Sequence, residues 1–184
     1  MEETKIDIKI LKSVFQLPID AQTIENAIFV EDTKELLVAS QIELSGKYNR
    51  TYTVVSHFIE LDPNRVLIDN DLLIIILFSE LAIIDLQQDK LLRVIDFNCW
   101  ELFRIFKFKS GYFLYGEGEN RFLNKNFDVV WEKGCIDIFV NPDVKEDLEI
   151  FDNYVTVFDW YGYKHYYDET GEFKTEHYPE YDNS

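Results

Sequence analysis

Glycine and proline are scarce in this chain, seven and four in 184 residues, and no low-complexity run interrupts it. That leaves no flexible linker to expect, so composition predicts a single domain over residues 1–184, long enough to bury a sizeable core. Cysteine is almost absent as well. Cys99 and Cys135 are the only two, and without an export signal they are expected to be reduced rather than bridged. No basic stretch followed by an apolar one appears after Met1, so no signal peptide is read. The longest apolar run, "LLIIILF" at 72–78, is far too short to span a bilayer as a helix. Together these absences predict a cytoplasmic protein without a membrane partner.

Positive charge is the other shortage. Eighteen Lys and Arg face 35 Asp and Glu, a net charge of −17. A surface of that sign repels phosphate backbones and anionic headgroups, so nucleic acid is excluded as an expected partner. The imbalance is uneven: residues 132–184 hold 14 acids and only 4 bases.

What the chain has in quantity is strand-forming residues. Hydrophobic residues make up 47% and aromatics 16%, arranged in alternating or continuous apolar stretches of four to eight rich in Val, Ile, Phe and Tyr. Strands are predicted at 5–11, 26–31, 35–44, 51–61, 65–68, 72–78, 81–86, 91–96, 102–108, 111–115, 120–123, 127–132, 136–140, 148–151, 154–159, 162–167 and 172–176. No window shows a clean helical period; Pro18 opens at most one helical turn over 18–27. The fold class is nearly all-β. Turn chemistry agrees, with Thr170-Gly171 read as a hairpin turn and Asp62-Pro63 as a type I turn.

Three stretches align on one another: "LLIIILFSELAIIDLQQDKLLRVID", "GYFLYGEGENRFLNKNFDVVWEK" and "NYVTVFDWYGYKHYYDETGEFKTEH". Each has a strand, a break, a second strand closing on Asp85, Asn124 or Asp168, a polar turn and a third strand. "FIELDPNRVLID" offers a fourth copy of that ending at Asp62. An Asx side chain suits such a turn because it accepts from the backbone two residues on. The later copies recur at roughly 40 residues, the length of a propeller blade, while Asp62 falls about half that distance before Asp85. Over residues 51–176 the pattern resembles degenerate β-propeller-type repeats, without the Gly-His and Trp-Asp markers of the WD40 class. An antiparallel strand meander of propeller-like repeats is expected, with a two-sheet β-sandwich as the alternative.

Chemistry is hard to find. His57, His165 and His177 sit in no zinc-binding spacing, and His165 between tyrosines reads as a strand-face residue. No G-x-S-x-G elbow is present, neither cysteine has a histidine nearby in sequence, and "GEGENR" would repel phosphate with its own glutamates. No catalytic residue, metal or cofactor is assigned. Lysines alternating with phenylalanines in "FRIFKFK" read as guards of an exposed strand edge.

The residue pattern left over is an acidic terminal region interleaved with Tyr and Trp. Aromatics anchor protein interfaces and carboxylates steer a basic partner. Asp159, Trp160, Tyr161, Tyr163, Asp168, Glu169 and Glu172 are the predicted partner-binding residues. In size, charge and β-rich character the chain resembles the immunity proteins of bacterial polymorphic-toxin and contact-dependent inhibition systems. That resemblance implies a non-catalytic protein that neutralises a basic toxin domain such as a nuclease. A propeller-like scaffold or ligand-binding module is the alternative, and a carboxylate-dependent hydrolase a lesser one.

Overall fold

The computed structural model describes residues 4–14, 27–29, 37–57, 61–134, 138–139 and 148–177. It divides into two compact units, Met1–Asn98 and Cys99–Ser184. No Gly/Pro-rich stretch marks the boundary, so composition alone offers no place to draw one.

Sixteen strands are described, and no α-helix occurs among the described residues. The first unit holds two four-stranded sheets. One contains β1 (Lys5–Val14), β2 (Ala27–Phe29), β3 (Leu37–Ser45) and β4 (Arg50–His57) in the order β1-β3-β4-β2. The other is the meander β5 (Val66–Asp69), β6 (Leu72–Leu77), β7 (Glu80–Asp85) and β8 (Lys90–Asp96). The second unit repeats that meander twice. Its first copy is β9 (Leu102–Phe108), β10 (Gly111–Gly116), β11 (Glu119–Leu123) and β12 (Val129–Gly134). Its second is β13 (Leu148–Ile150), β14 (Val155–Phe158), β15 (Tyr163–Asp168) and β16 (Gly171–His177). All pairings are antiparallel except that of the short β2 with β4, which is parallel.

The architecture is therefore nearly all-β, an antiparallel meander of propeller-like repeats. Four sheets stand where the sandwich alternative required two. Each repeat holds four strands rather than the three that align in the sequence, because β5, β9 and β13 precede the aligned stretch. The predicted strand 136–140 falls mostly outside the described residues, and Ile138 and Phe139 are not in a strand. The helical turn expected at 18–27 also lies outside the described residues, apart from Ala27 in β2.

A burial gradient runs across each meander. The second strands, β6, β10 and β14, are buried almost throughout, while the last, β8, β12 and β16, are mostly exposed. Burial on both faces explains why "LLIIILF" reads as a continuous apolar run rather than an alternation. In the first unit Leu73, Ile75 and Leu77 pack with Ile42, Tyr52 and Val54 of the neighbouring sheet. Its turns are joined by a polar network in which Tyr52 donates to Asp89 at 2.7 Å and Arg50 pairs with the same carboxylate at 3.3 Å. Burial, then the bond to Asp89, pushes the Tyr52 phenol up to about 12.

In the second unit the two sheets face each other across an aromatic core. Phe106, Phe113, Tyr115 and Phe122 meet Val155, Val157 and Tyr167. The rings are ordered, with Trp131 stacked on Tyr167 at 5.4 Å and Phe113 edge-on to Trp131 at 5.7 Å. Each such side chain contributes about 1.5–3 kcal/mol by leaving water.

The Asx turns form as the side-chain chemistry dictates. Asp85 accepts from the backbone of Gln87 at 2.7 Å, Asn124 from Asn126 at 2.8 Å, and Asp168 from Thr170 at 2.7 Å. All three close the link between the third and fourth strands of a sheet. Asp62 does the same chemistry elsewhere. It accepts from Asn64 at 2.7 Å and caps a 3-10 turn, Pro63–Arg65, that leads into β5. Asp62 thus precedes a repeat instead of closing one, which removes the short first interval in the spacing.

Candidate functional site

Between β14 and β15 the chain turns through Asp159, Trp160, Tyr161 and Gly162. Asp159 closes this turn from both its backbone and its side chain. Its N–H donates to the Tyr163 carbonyl at 3.0 Å, its carbonyl accepts from Gly162 at 3.1 Å, and its Oδ1 accepts from the Tyr163 N–H at 2.9 Å. Gly162 sits at φ +77, a conformation open to glycine without steric strain. These hydrogen bonds close the turn, and Trp160 and Tyr161 project from it, 49% and 54% exposed.

Asp159 itself is only 2% exposed, so it supports the turn and presents no carboxylate outward. Its other oxygen meets His165. His165 Nε2 lies 3.1 Å from Asp159 Oδ2, and Nδ1 lies 2.8 Å from Glu172 Oε1. A neutral imidazole carries one N–H, so two acceptors at the two nitrogens are satisfied together only by the doubly protonated ring. Burial opposes that charge, but the bonds from Asp159 and Glu172 outweigh it, and the histidine is held above its ordinary range. Lys133 stands 3.9 Å from Glu172 and Thr175 donates to it. Phe139 packs edge-on to the imidazole at 5.4 Å. His165 is on a strand face, as its tyrosine neighbours indicate, but it is the centre of a carboxylate–imidazolium–carboxylate bridge that sequence spacing does not reveal.

The seven predicted contact residues do not form one surface. Trp160 and Tyr161 project at one end of β15, with Tyr163 beside them, its ring 4.6 Å from that of His177. Asp168 and Glu169 lie at the other end, roughly 17 Å away along six residues of strand. There Asp168 caps its own turn and Glu169 accepts from Ser110 at 3.0 Å. Glu172 belongs to the histidine bridge. The three aromatic residues are thus neighbours at one end of β15, while the acidic ones are divided between its two ends and the histidine bridge.

Other candidates resolve into structural roles. Arg121, a basic residue close in sequence to "FRIFKFK", is 1% exposed, and its Nε donates to Glu132 at 2.6 Å while a second nitrogen pairs with Glu119. Lys107 is exposed on β9, which is an edge of its sheet, as the alternation with phenylalanine predicts. Burial pushes the Cys99 thiol up, disfavouring the thiolate. Cys135 and the side chain of His57 lie outside the described residues. No group of three or more metal-ligating side chains occurs among the described residues, and no helix of the described residues is long and apolar enough to cross a membrane.

Among the loop residues, sequence reasoning passes over Trp100. It is 61% exposed and stands in "FNCWE", between two strands, where an aromatic has no strand face to fill. That position is the available signal.

No family model and no curated protein matches the chain. Solved structures do. The computationally designed protein Ika8 is 9% identical, with a TM-score of 0.53 over 80% of this chain and 51% of that one. BamB from Moraxella catarrhalis is 15% identical, with a TM-score of 0.52 over 93% of this chain and 52% of its own. At such identities the likeness is one of fold: a propeller-like succession of four-stranded antiparallel sheets. The chain spans about half the length of these two structures.

Proposed function

We propose that this chain is a non-catalytic, acidic protein-binding module, an immunity protein that binds and neutralises a cationic toxin domain such as a nuclease. One observation carries the reading. Two large aromatic side chains, Trp160 and Tyr161, are displayed on a turn already locked by its own hydrogen bonds. Such side chains are the ones that concentrate binding energy, and a preformed turn loses little entropy on docking. The net charge of −17 supplies long-range attraction for a basic surface.

The test is co-expression with the product of the neighbouring gene, which this reading expects to carry a basic domain, followed by affinity measurement. Trp160→Ala combined with Tyr161→Ala is expected to weaken the complex at least about a hundredfold, the loss of two interface anchors. Raising salt from about 50 to about 300 mM should weaken it further through slower association. A complex indifferent to both the double variant and salt sinks the proposal.

The propeller-like fold supports a second reading, a scaffold whose charge serves solubility. In that case reversing the charge at Asp168 and Glu169 and removing the two aromatics leave function equally untouched.

A further inference from the structure

The Trp160–Tyr161 turn does not stand alone at its end of the second unit. Three backbone hydrogen bonds tie it to the start of the unit. Trp160 N–H donates to the Ile138 carbonyl at 2.8 Å, Phe139 N–H to the Glu117 carbonyl at 2.6 Å, and Glu117 N–H to the Glu101 carbonyl at 2.8 Å. Trp100, next to Glu101 in the chain, is therefore tied to the Trp160 turn through three backbone hydrogen bonds. Its indole rests on Gly118, where an added Cβ would meet the ring at 3.7 Å, and most of the side chain is open.

Charge at this end is selective. Glu119 and Glu132 are occupied by Arg121, and Asp159 and Glu172 by His165. Glu117, on the β10–β11 turn in the middle of the hydrogen-bonded row, makes no ion pair among the described residues. A carboxylate without an ion pair among the described residues, on a backbone row that runs from beside Trp100 to Trp160, is complementary to one kind of group. Guanidinium stacks on aromatic faces while donating in a fork to a carboxylate, and it sheds water more readily than ammonium.

We propose that Trp100 and Glu117 join Trp160 and Tyr161 in one docking surface that accepts an arginine-bearing loop of a basic protein. The inference rests on the protein-binding reading above and adds the extent of the surface and the side chain it selects. Local repulsion of phosphate by Glu117 disfavours nucleic acid at the same place.

A hexa-arginine peptide amide and a hexa-lysine peptide amide, equal in charge, are the probes, titrated by calorimetry at about 150 mM salt. The arginine peptide is expected to bind at least about fivefold tighter than the lysine peptide. Trp100→Ala and Glu117→Gln are each expected to weaken binding of the arginine peptide about five- to tenfold, with little change in melting temperature, since Trp100 is mostly exposed and Glu117 is half-buried without an ion pair among the described residues. Asp168→Asn with Glu169→Gln, at the far end of β15, removes more charge and should change the affinity less than about twofold. If Trp100→Ala and Glu117→Gln behave like that far-end control while Trp160→Ala still weakens binding, the extended surface is refuted and the protein-binding reading stands. If the two peptides bind alike and no aromatic variant matters, both fall. Tighter binding of a single-stranded oligonucleotide than of the arginine peptide also overturns the proposal.

Discussion

Asp159→Ala should destabilise the second unit by about 3–5 kcal/mol, the usual cost of removing one partner from a buried, hydrogen-bonded charge pair. Three losses coincide. His165 keeps its burial but loses one of its two acceptors, the Tyr163 N–H loses its bond to Oδ1, and a cavity opens beneath the turn. Asp159→Asn, which retains an acceptor for Tyr163 but not the charge, should cost about half as much. Urea denaturation of the three proteins provides the comparison. Its pH dependence has a definite sign. His165 is held above its unfolded value of about 6.5, so the stability it contributes is complete below that pH. It is lost as pH rises through the folded value. The gap between the parent protein and Asp159→Ala is therefore widest near pH 6 and narrows toward pH 9. A gap that stays constant across this range would mean that His165 is neutral throughout and that the charged bridge does not form. Because the same aspartate closes the turn carrying Trp160 and Tyr161, the variant should also lose partner binding at pH 6.

Gly111→Ala is the second large effect. "KSGYF" looks like a glycine turn, yet the residue in the left-handed conformation is Lys109, at φ +50, and Gly111 already begins β10. Gly111 is required by a close approach. A Cβ there would lie 1.9 Å from the Leu123 carbonyl oxygen on β11 and 3.0 Å from the Phe122 ring. Backbone must move, and the strand pair it belongs to lies over the aromatic core. The expected loss is about 3 kcal/mol, the upper end of ordinary overpacking, against a gain below about 1 kcal/mol from stiffening the unfolded chain. Gly118→Ala is the matched control, because its Cβ would meet nothing closer than 3.7 Å. It should be neutral or slightly stabilising. Equal denaturation midpoints for the two variants would show that β10 and β11 do not approach so closely.

Much of this architecture is legible in the chain alone. Wherever both ends are described, the predicted strands recur within a few residues of observed ones. Alternation and continuous apolar runs report directly on one-face and two-face burial. The Asx turns at Asp85, Asn124 and Asp168 are legible because the bond they make reaches only two residues ahead. Asp62 shows the limit of that logic: identical local chemistry links the last two strands of three sheets and leads into the first strand of another. Where the seven predicted partner-binding residues lie relative to one another is illegible in the chain for a similar reason. Neighbours along a strand such as β15 are carried to opposite ends of a sheet. Asp159 and Glu172 are turned inward to meet a histidine six or seven residues away.

Residue pattern and composition thus suffice for the β class, the repeated meander, the turn-closing side chains and the negative charge. Each depends on short-range backbone chemistry or on a simple count. Which carboxylates are engaged inside and which remain outside depends instead on the fold in three dimensions. It bridges His165 between two strand ends, buries Arg121 between two glutamates, and brings Trp100 to the end where Trp160 and Tyr161 stand. Those outcomes follow from the register of strands and from how two sheets face each other. Register is set by the sum of many contacts distant in sequence, which no short window of residues contains.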